Sequence, residues 1–204
     1  MPDETRRTRI VDAAMRALDE QDYAHVQMRD VATSAGIALG TLYRHFSSKE
    51  HLYATVLLEW AAAGRSQAGG GFGQEDAGSG VDRLRSRIHG VITAYERQPQ
   101  FYRVQVLLRA SPDRNARAVL AEFTEIARAV LAADLAEIVP VDVVDATDAA
   151  TMLWSLVTSR LTDTIYGEGG GRSDAHRLAD RFVDLLAGAG AERTDRDRDT
   201  DRDR

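Results

Sequence analysis

The chain has 204 residues, 44% of them hydrophobic and 28% charged, with a formal net charge of −6. That length suits one large domain or two small ones, and the apolar share supports a packed core and excludes a disordered chain. No cysteine is present, which excludes disulfides, thiol nucleophiles and thiolate metal sites together.

The N-terminal decapeptide MPDETRRTRI mixes acids with arginines and has no apolar segment of the kind a secretory signal carries. The longest apolar runs, such as TVLLEWAAAG at 55–64, are interrupted by charge and fall well short of the ~20 residues that span a bilayer. A cytoplasmic protein with no membrane partner is the expectation. The charge is unevenly spread. Residues 5–51 carry seven bases and six acids, and so form the least acidic part of the chain. Lys49 is the single lysine among 26 basic residues. Any nucleic-acid contact must come from where a few charges are placed, since no basic block exists.

In chain order, the first helix is predicted over 5–20, with Ile10, Ala13, Ala14, Ala17 and Leu18 at the spacing of one helical face. A polar break, EQDYAH (20–25), precedes a short second helix at 27–35 with Met28, Val31 and Ala32 inward. Gly36 ends it as a glycine after a helix does. A third short helix follows at 38–46, with Leu42 and Phe46 on one face. SSKE (47–50) matches a capping box in which Ser47 and Glu50 each satisfy the other's backbone amide. A fourth helix then runs to about Gly64.

GGGFGQEDAGSG (69–80) has turn composition and lacks the G-K-[ST] ending of a phosphate loop, so it reads as a connection. Helices are expected at about 81–98, 101–110, 115–138 and 141–166, punctuated by Pro99, Ser111-Pro112 and Pro140. GEGGGR (167–172) makes a further break. Ser173 caps a last helix to about Ala187, whose apolar stripe is Ala175, Leu178, Ala179, Phe182, Leu185 and Leu186. The tail AERTDRDRDTDRDR alternates charge and is predicted to be disordered. No strand-like alternation and no repeat of 20–50 residues is found. The fold class is all-α with about nine helices.

Three short opening helices, the last two joined by a tight glycine turn, form the layout of a helix-turn-helix. One helix of such a pair crosses the DNA backbone and the other enters a major groove ~12 Å wide. The stretch MRDVATSAGIALGTLYRHFSSKEHL (28–52) resembles the N-terminal region of TetR-type transcriptional repressors. The resemblance covers about residues 5–55 and rests on VATSAGI, GTLYRHF and SKEHL. One position departs from it: the second helix opens at Gln27 where the family usually has Thr or Ser, so a hydroxyl cap worth ~1 kcal/mol is missing.

The resemblance implies a domain at 1–50 that reads DNA, an effector-binding and dimerisation domain at 51–190, and a charged tail at 191–204. It assigns DNA contacts to Arg29, Gly40, Thr41, Tyr43, Arg44, His45 and Lys49. The chemistry suits these roles. Gly40 lets the backbone approach the duplex, and Thr41 offers a hydroxyl and a methyl. Tyr43 offers a phenol to a phosphate, and Arg44 and His45 can reach base edges or phosphates. Lys49 sits where the amides of a helix start also point outward. Each has a plainer alternative: Arg29 as solvated surface, His45 as a helix-end residue meeting the dipole, Tyr43 as half packed.

For the remainder, the resemblance implies about six helices around an effector site, the last two pairing with those of a second subunit in a four-helix bundle. Candidate effector contacts are Tyr95, Phe101, Tyr102, Arg109 and Trp154, with Arg160 as an alternative cation. Core packing is the competing reading for the aromatics. Leu178, Phe182, Leu185 and Leu186 are the candidate dimer contacts. A narrower resemblance, carried by VQMRDVA, ALGTLYRHF and SKEHL, is to actinobacterial TetR-type repressors of sterol catabolism, which respond to CoA thioesters. It implies a lipophilic or acyl-CoA effector, a homodimer on double-stranded operator DNA, and no cofactor. A regulator of drug or lipophile efflux is the alternative within the family. Outside it stand an enzyme, for which His25, His45, His51, His89 and His176 supply no H-x-x-x-H pair, and a helical adaptor without DNA binding.

Overall fold

The computed structural model describes residues 3–66, 79–139, 144–167 and 173–202. The glycine-rich connection at 69–80 and the break at 167–172 fall almost wholly outside them, as does the expected helix start at 141–143. Among the described residues every regular element is a helix: α1 (Asp3–Glu20), α2 (Met28–Ser34), α3 (Leu39–His45), α4 (Lys49–Ser66), α5 (Gly80–Arg97), α6 (Pro99–Leu108), α7 (Arg114–Ala136), α8 (Ala146–Tyr166) and α9 (Ser173–Arg202). No helix among them is long and apolar enough to cross a membrane.

The chain divides into two compact units, one of Met1–Ala63 with Gln98–Thr124, the other of Gly64–Arg97 with Glu125–Arg204. The unit that carries the first three helices therefore reaches past residue 50 and also takes in α6 and the beginning of α7. Its core is built from Ile10, Ala14 and Leu18 of α1, Val31 and Ala32 of α2, Leu42 of α3, and Phe101 and Leu108 of α6, all nearly or fully buried. Residues 52–57 of α4 are buried without a break. A helix buried all round lacks the polar stripe of a surface helix, which suits a strut at the centre of its unit. Tyr53 places its hydroxyl where it donates to the Ala14 carbonyl at 3.0 Å. Trp60 stacks on Phe101 with centroids 4.6 Å apart, and its Nε1 donates to Gln98 Oε1 at 2.7 Å.

Proline has a different effect at α6 than the sequence suggests. Pro99 opens that helix at its first position and does not merely separate it from the one before. The first turn has no intrahelical partner for its amides, so a residue with no N–H and a fixed φ costs nothing there.

In the second unit α5 buries Leu84, Ile88, Ile92 and Tyr95, and α8 buries Leu153, Trp154, Val157 and Leu161. Asp145 caps α8, its Oδ1 accepting from the amides of Thr147 at 2.8 Å and Asp148 at 3.3 Å. Those bonds, the Thr147 amide first, hold the Asp145 carboxyl below the usual carboxylate range. Arg87 Nε and Asp134 Oδ2 form a largely buried ion pair at 2.6 Å between α5 and α7. The buried face of α9 is Ala175, Ala179 and Val183. This is narrower than the expected stripe: small residues let α9 pack closely, and the larger Leu178, Phe182 and Leu186 lie at its margins, half-buried. Disorder is the sequence expectation over 191–204, but the structure continues α9 to Arg202.

Candidate nucleic-acid interface

The geometry of the reading head starts at the turn between α2 and α3. Gly36 has φ +65°, the left-handed region that L-residues with a Cβ adopt at a cost. Its N–H donates to the Thr33 carbonyl at 3.0 Å, and the Ile37 N–H donates to the Ala32 carbonyl at 3.0 Å. This pair of bonds is the Schellman closure of a helix end, and it reverses the chain within three residues. The Arg9 guanidinium donates to the Ala35 carbonyl, tying α1 to the same turn. At the other end of α2, Gln27 makes no side-chain cap. The Asp30 and Val31 amides bond instead to the Gln27 carbonyl.

α3 then presents two faces. Leu42 and, just beyond the helix, Phe46 are fully buried. Gly40, Tyr43 and Arg44 are exposed, Tyr43 at 48%, and Thr41 is half-exposed. A Cβ added at Gly40 would meet nothing within 4 Å. The fold itself gives no reason for a glycine there, although glycine in a helix costs roughly 0.5–1 kcal/mol against alanine. Arg29 is exposed in the first turn of α2.

Two candidates are already engaged within the protein. The His45 side chain is only 9% exposed, with Nε2 3.5 Å from Asp3 Oδ1. It faces α1 and does not share the open face of Tyr43 and Arg44. The Lys49 ammonium donates to the Tyr23 carbonyl and lies 4.2 Å from the centroid of the Tyr23 ring. Burial pushes the Lys49 pKa down, partly offset by Glu50, and burial pushes the Tyr23 phenol up to about 12. Lys49 lies in the first turn of α4, as expected, but its head is turned toward the 20–25 turn.

The cap of α4 is displaced by one residue from the sequence reading. Ser48 Oγ, not Ser47, accepts from the third amide of the helix, that of His51, at 3.0 Å. The return bond comes from His51, whose Nδ1 accepts the Ser47 N–H at 3.2 Å, and not from Glu50. With α4 starting at Lys49, Ser48 is the cap, while the Ser47 amide is satisfied by an imidazole nitrogen in place of the expected carboxylate. Sequence reasoning also missed Arg7, whose guanidinium lies 5.4 Å from the centroid of the Phe46 ring at the end of α3. Its only signal was membership of the TRRTR run.

The candidate effector contacts are divided between the units. Phe101 and Tyr102 are buried in the first, and Tyr95 and Trp154 in the second. Arg109 is exposed at the end of α6. Arg160 pairs with Asp163 at 3.2 Å along α8. Trp60, stacked on Phe101, was not singled out, because an aromatic in an apolar run carries no polar signal. Of the candidate dimer contacts, Leu185 is 72% exposed. Among the described residues no group of three His, Asp or Glu is placed to hold a metal ion.

Residues 10–56 match the profile of the bacterial regulatory proteins of the tetR family. The HTH-type transcriptional repressor KstR of Rhodococcus jostii is 27% identical over 92% of this chain and 85% of its own length. KstR of Mycobacterium tuberculosis is 52% identical over 52 residues, a quarter of each chain. Among solved structures, a TetR transcriptional regulator from Rhodococcus sp. RHA1 superposes with a TM-score of 0.72 over 91% of this chain and 97% of its own, at 24% identity. The identity is thus high over a match of about a quarter of the chain and falls to 27% over most of its length.

Proposed function

The chain belongs, through its N-terminal domain, to the TetR family of bacterial regulatory proteins, and we propose that it is a dimeric, ligand-responsive repressor whose α3 reads an operator in the major groove. The observation that carries this reading is the open face of α3. A helical glycine with nothing above it stands beside an exposed phenol and an exposed guanidinium. Such a surface costs the fold something and gives it nothing back, so its use lies outside the chain. Gly40 admits the duplex to the backbone, and Thr41, Tyr43 and Arg29 meet phosphates. Arg44 supplies the fork that pairs with a guanine edge. Lys49 adds a phosphate contact with the ammonium donors that the Tyr23 carbonyl leaves over.

One helix of seven residues reads too few bases for specificity, and a two-fold dimer doubles the site. The exposed Leu185, with Leu178, Phe182 and Leu186 beside it, supports α9 as part of that interface. The effector class is a lipophile or acyl-CoA thioester, by likeness to the sterol-catabolism repressors. Its binding lowers operator affinity through a coupling of ~1–3 kcal/mol. The test is a footprint on DNA that the purified protein selects from a random pool. Thr41→Ala with Tyr43→Ala should abolish the footprint while helicity and mass stay unchanged. A retained footprint would remove α3 as the reader.

A further inference from the structure

The turn that follows α3 is held from a distance. Ser47 Oγ donates to Asp113 Oδ2 at 2.9 Å and accepts from Asn115 Nδ2 at 3.0 Å. Its single hydroxyl proton goes to the carboxylate, the stronger acceptor. The Ser47 backbone N–H then takes His51 Nδ1. Asp113 is itself fixed, since its Oδ1 accepts from the Ala116 amide at 2.9 Å and caps α7. The Arg117 guanidinium bonds to the carbonyls of Ser111 at 3.0 Å and Pro112 at 2.7 Å, which sets the turn on which Asp113 stands. Below Ser47, the buried Phe46 ring meets the His51 ring edge-on at 5.4 Å. All of these residues belong to the first compact unit.

The arrangement matters because α3 cannot orient itself. It has seven residues and no side-chain cap at Ala38, and a helix that short is not stable alone. Its direction is set by what grips its two ends. One grip is the Gly36 turn. The other is residues 46–48, held by Phe46 in the core and by Ser47 under Asp113 and Asn115.

We propose that Asp113 and Asn115 are positioning residues for the reader helix: through Ser47 they fix the end of α3, and with it the direction of Tyr43 and Arg44, without touching DNA. This rests on the DNA-reading role given above. A displacement of about an ångström is enough to weaken a polar contact substantially, so a second layer of bonds behind a reading surface has a measurable effect on it.

The test uses Asp113→Ser, Ser47→Ala and the double variant in the full chain. Serine retains an oxygen that caps α7 but is one bond too short to reach Ser47. Each single variant should raise the Kd for the selected operator five- to tenfold and leave the Kd for random-sequence DNA within twofold. The loss in the double variant should fall well short of the product of the two single losses, the remainder being the Ser48 hydroxyl that Asp113 also accepts. Backbone amides of residues 42–46 should exchange hydrogen faster in both single variants, while the melting temperature of Asp113→Ser stays near that of the wild type. Wild-type operator affinity in Asp113→Ser, equal weakening on operator and random DNA, or effects that multiply in the double variant would each overturn the inference. If the wild-type chain selects no DNA at all, the repressor reading fails. The positioning role is then judged by exchange at residues 42–46: faster exchange upholds the grip, and unchanged exchange refutes it.

Discussion

Gly40→Ala separates the requirements of the fold from those of the DNA, because the two pull in opposite directions. Alanine is the better helix former by ~1 kcal/mol in a helix interior. Position 40 is the second residue of a short helix, so about half of that, ~0.5 kcal/mol, is expected. The added methyl meets nothing within 4 Å, so no packing cost opposes the gain. For a chain of this size the melting temperature should rise by about 1–2 °C. Against DNA the same methyl stands between the helix backbone and the duplex. It lengthens the contacts of Thr41, Tyr43 and Arg44 together, and losing ~1 kcal/mol from each of two of them amounts to roughly thirtyfold in Kd. Thermal melting by circular dichroism gives the first quantity, and fluorescence anisotropy on the selected operator at fixed salt gives the second. A stabilised protein that binds as tightly as the wild type would refute the close approach at Gly40. A destabilised one would refute the account of an unopposed helix gain.

Gly36→Ala should have the contrary effect on stability, a loss of ~1–2 kcal/mol, because the positive φ is required by the turn; an unchanged denaturation midpoint would contradict this. Lys49→Gln should lower the slope of log K against log salt by about 0.9, and an unchanged slope with a lower melting temperature would assign Lys49 wholly to Tyr23. Acidification should loosen the α3–α4 turn in two stages. Burial, the largest cause, pushes the His51 pKa down, with Asp113 raising it and Arg7 lowering it. The fold therefore favours the neutral ring, and stability that is full above about pH 6.5 falls as the unfolded ring begins to protonate below it. The Ala116 amide, followed by the Ser48 and Ser47 hydroxyls, holds Asp113 at about 2. Its contribution is complete above about pH 4 and is lost as pH falls toward the folded value. His51→Ala should flatten the melting profile between pH 7 and 5, and an unaltered profile would exclude His51. Leu185→Asp should leave the helix content intact and shift sedimentation from dimer to monomer at micromolar concentration; an unchanged mass would take α9 out of the interface.

The local sequence was sufficient for most features decided by neighbours along the chain. The inward Ile10, Ala13, Ala14 and Leu18 of α1, though not Ala17, which is half-buried while Val11 is buried in addition, the pairing of Gly36 with a helix end, the burial of Leu42 and Phe46, and the missing cap at Gln27 all follow from periodicity and from the backbone freedom of single residues. The family resemblance followed from the same short stretch, since residues that read a groove must be adjacent on one helix face. What the sequence left open depended on residues far apart. His45 turning to Asp3, Lys49 turning to Tyr23 and the grip of Asp113 on Ser47 are contacts between residues 26 to 66 positions apart; the shift of the α4 cap to Ser48 is itself local, but it occurs where that grip holds the chain. The narrow buried face of α9 is of the same kind. A stripe of apolar residues marks a helix face, but which of them is buried depends on the size of the residues that α5 and α8 bring against it. Spacing along a helix fixes which way a side chain leaves the backbone. Only the packed chain fixes what it meets there.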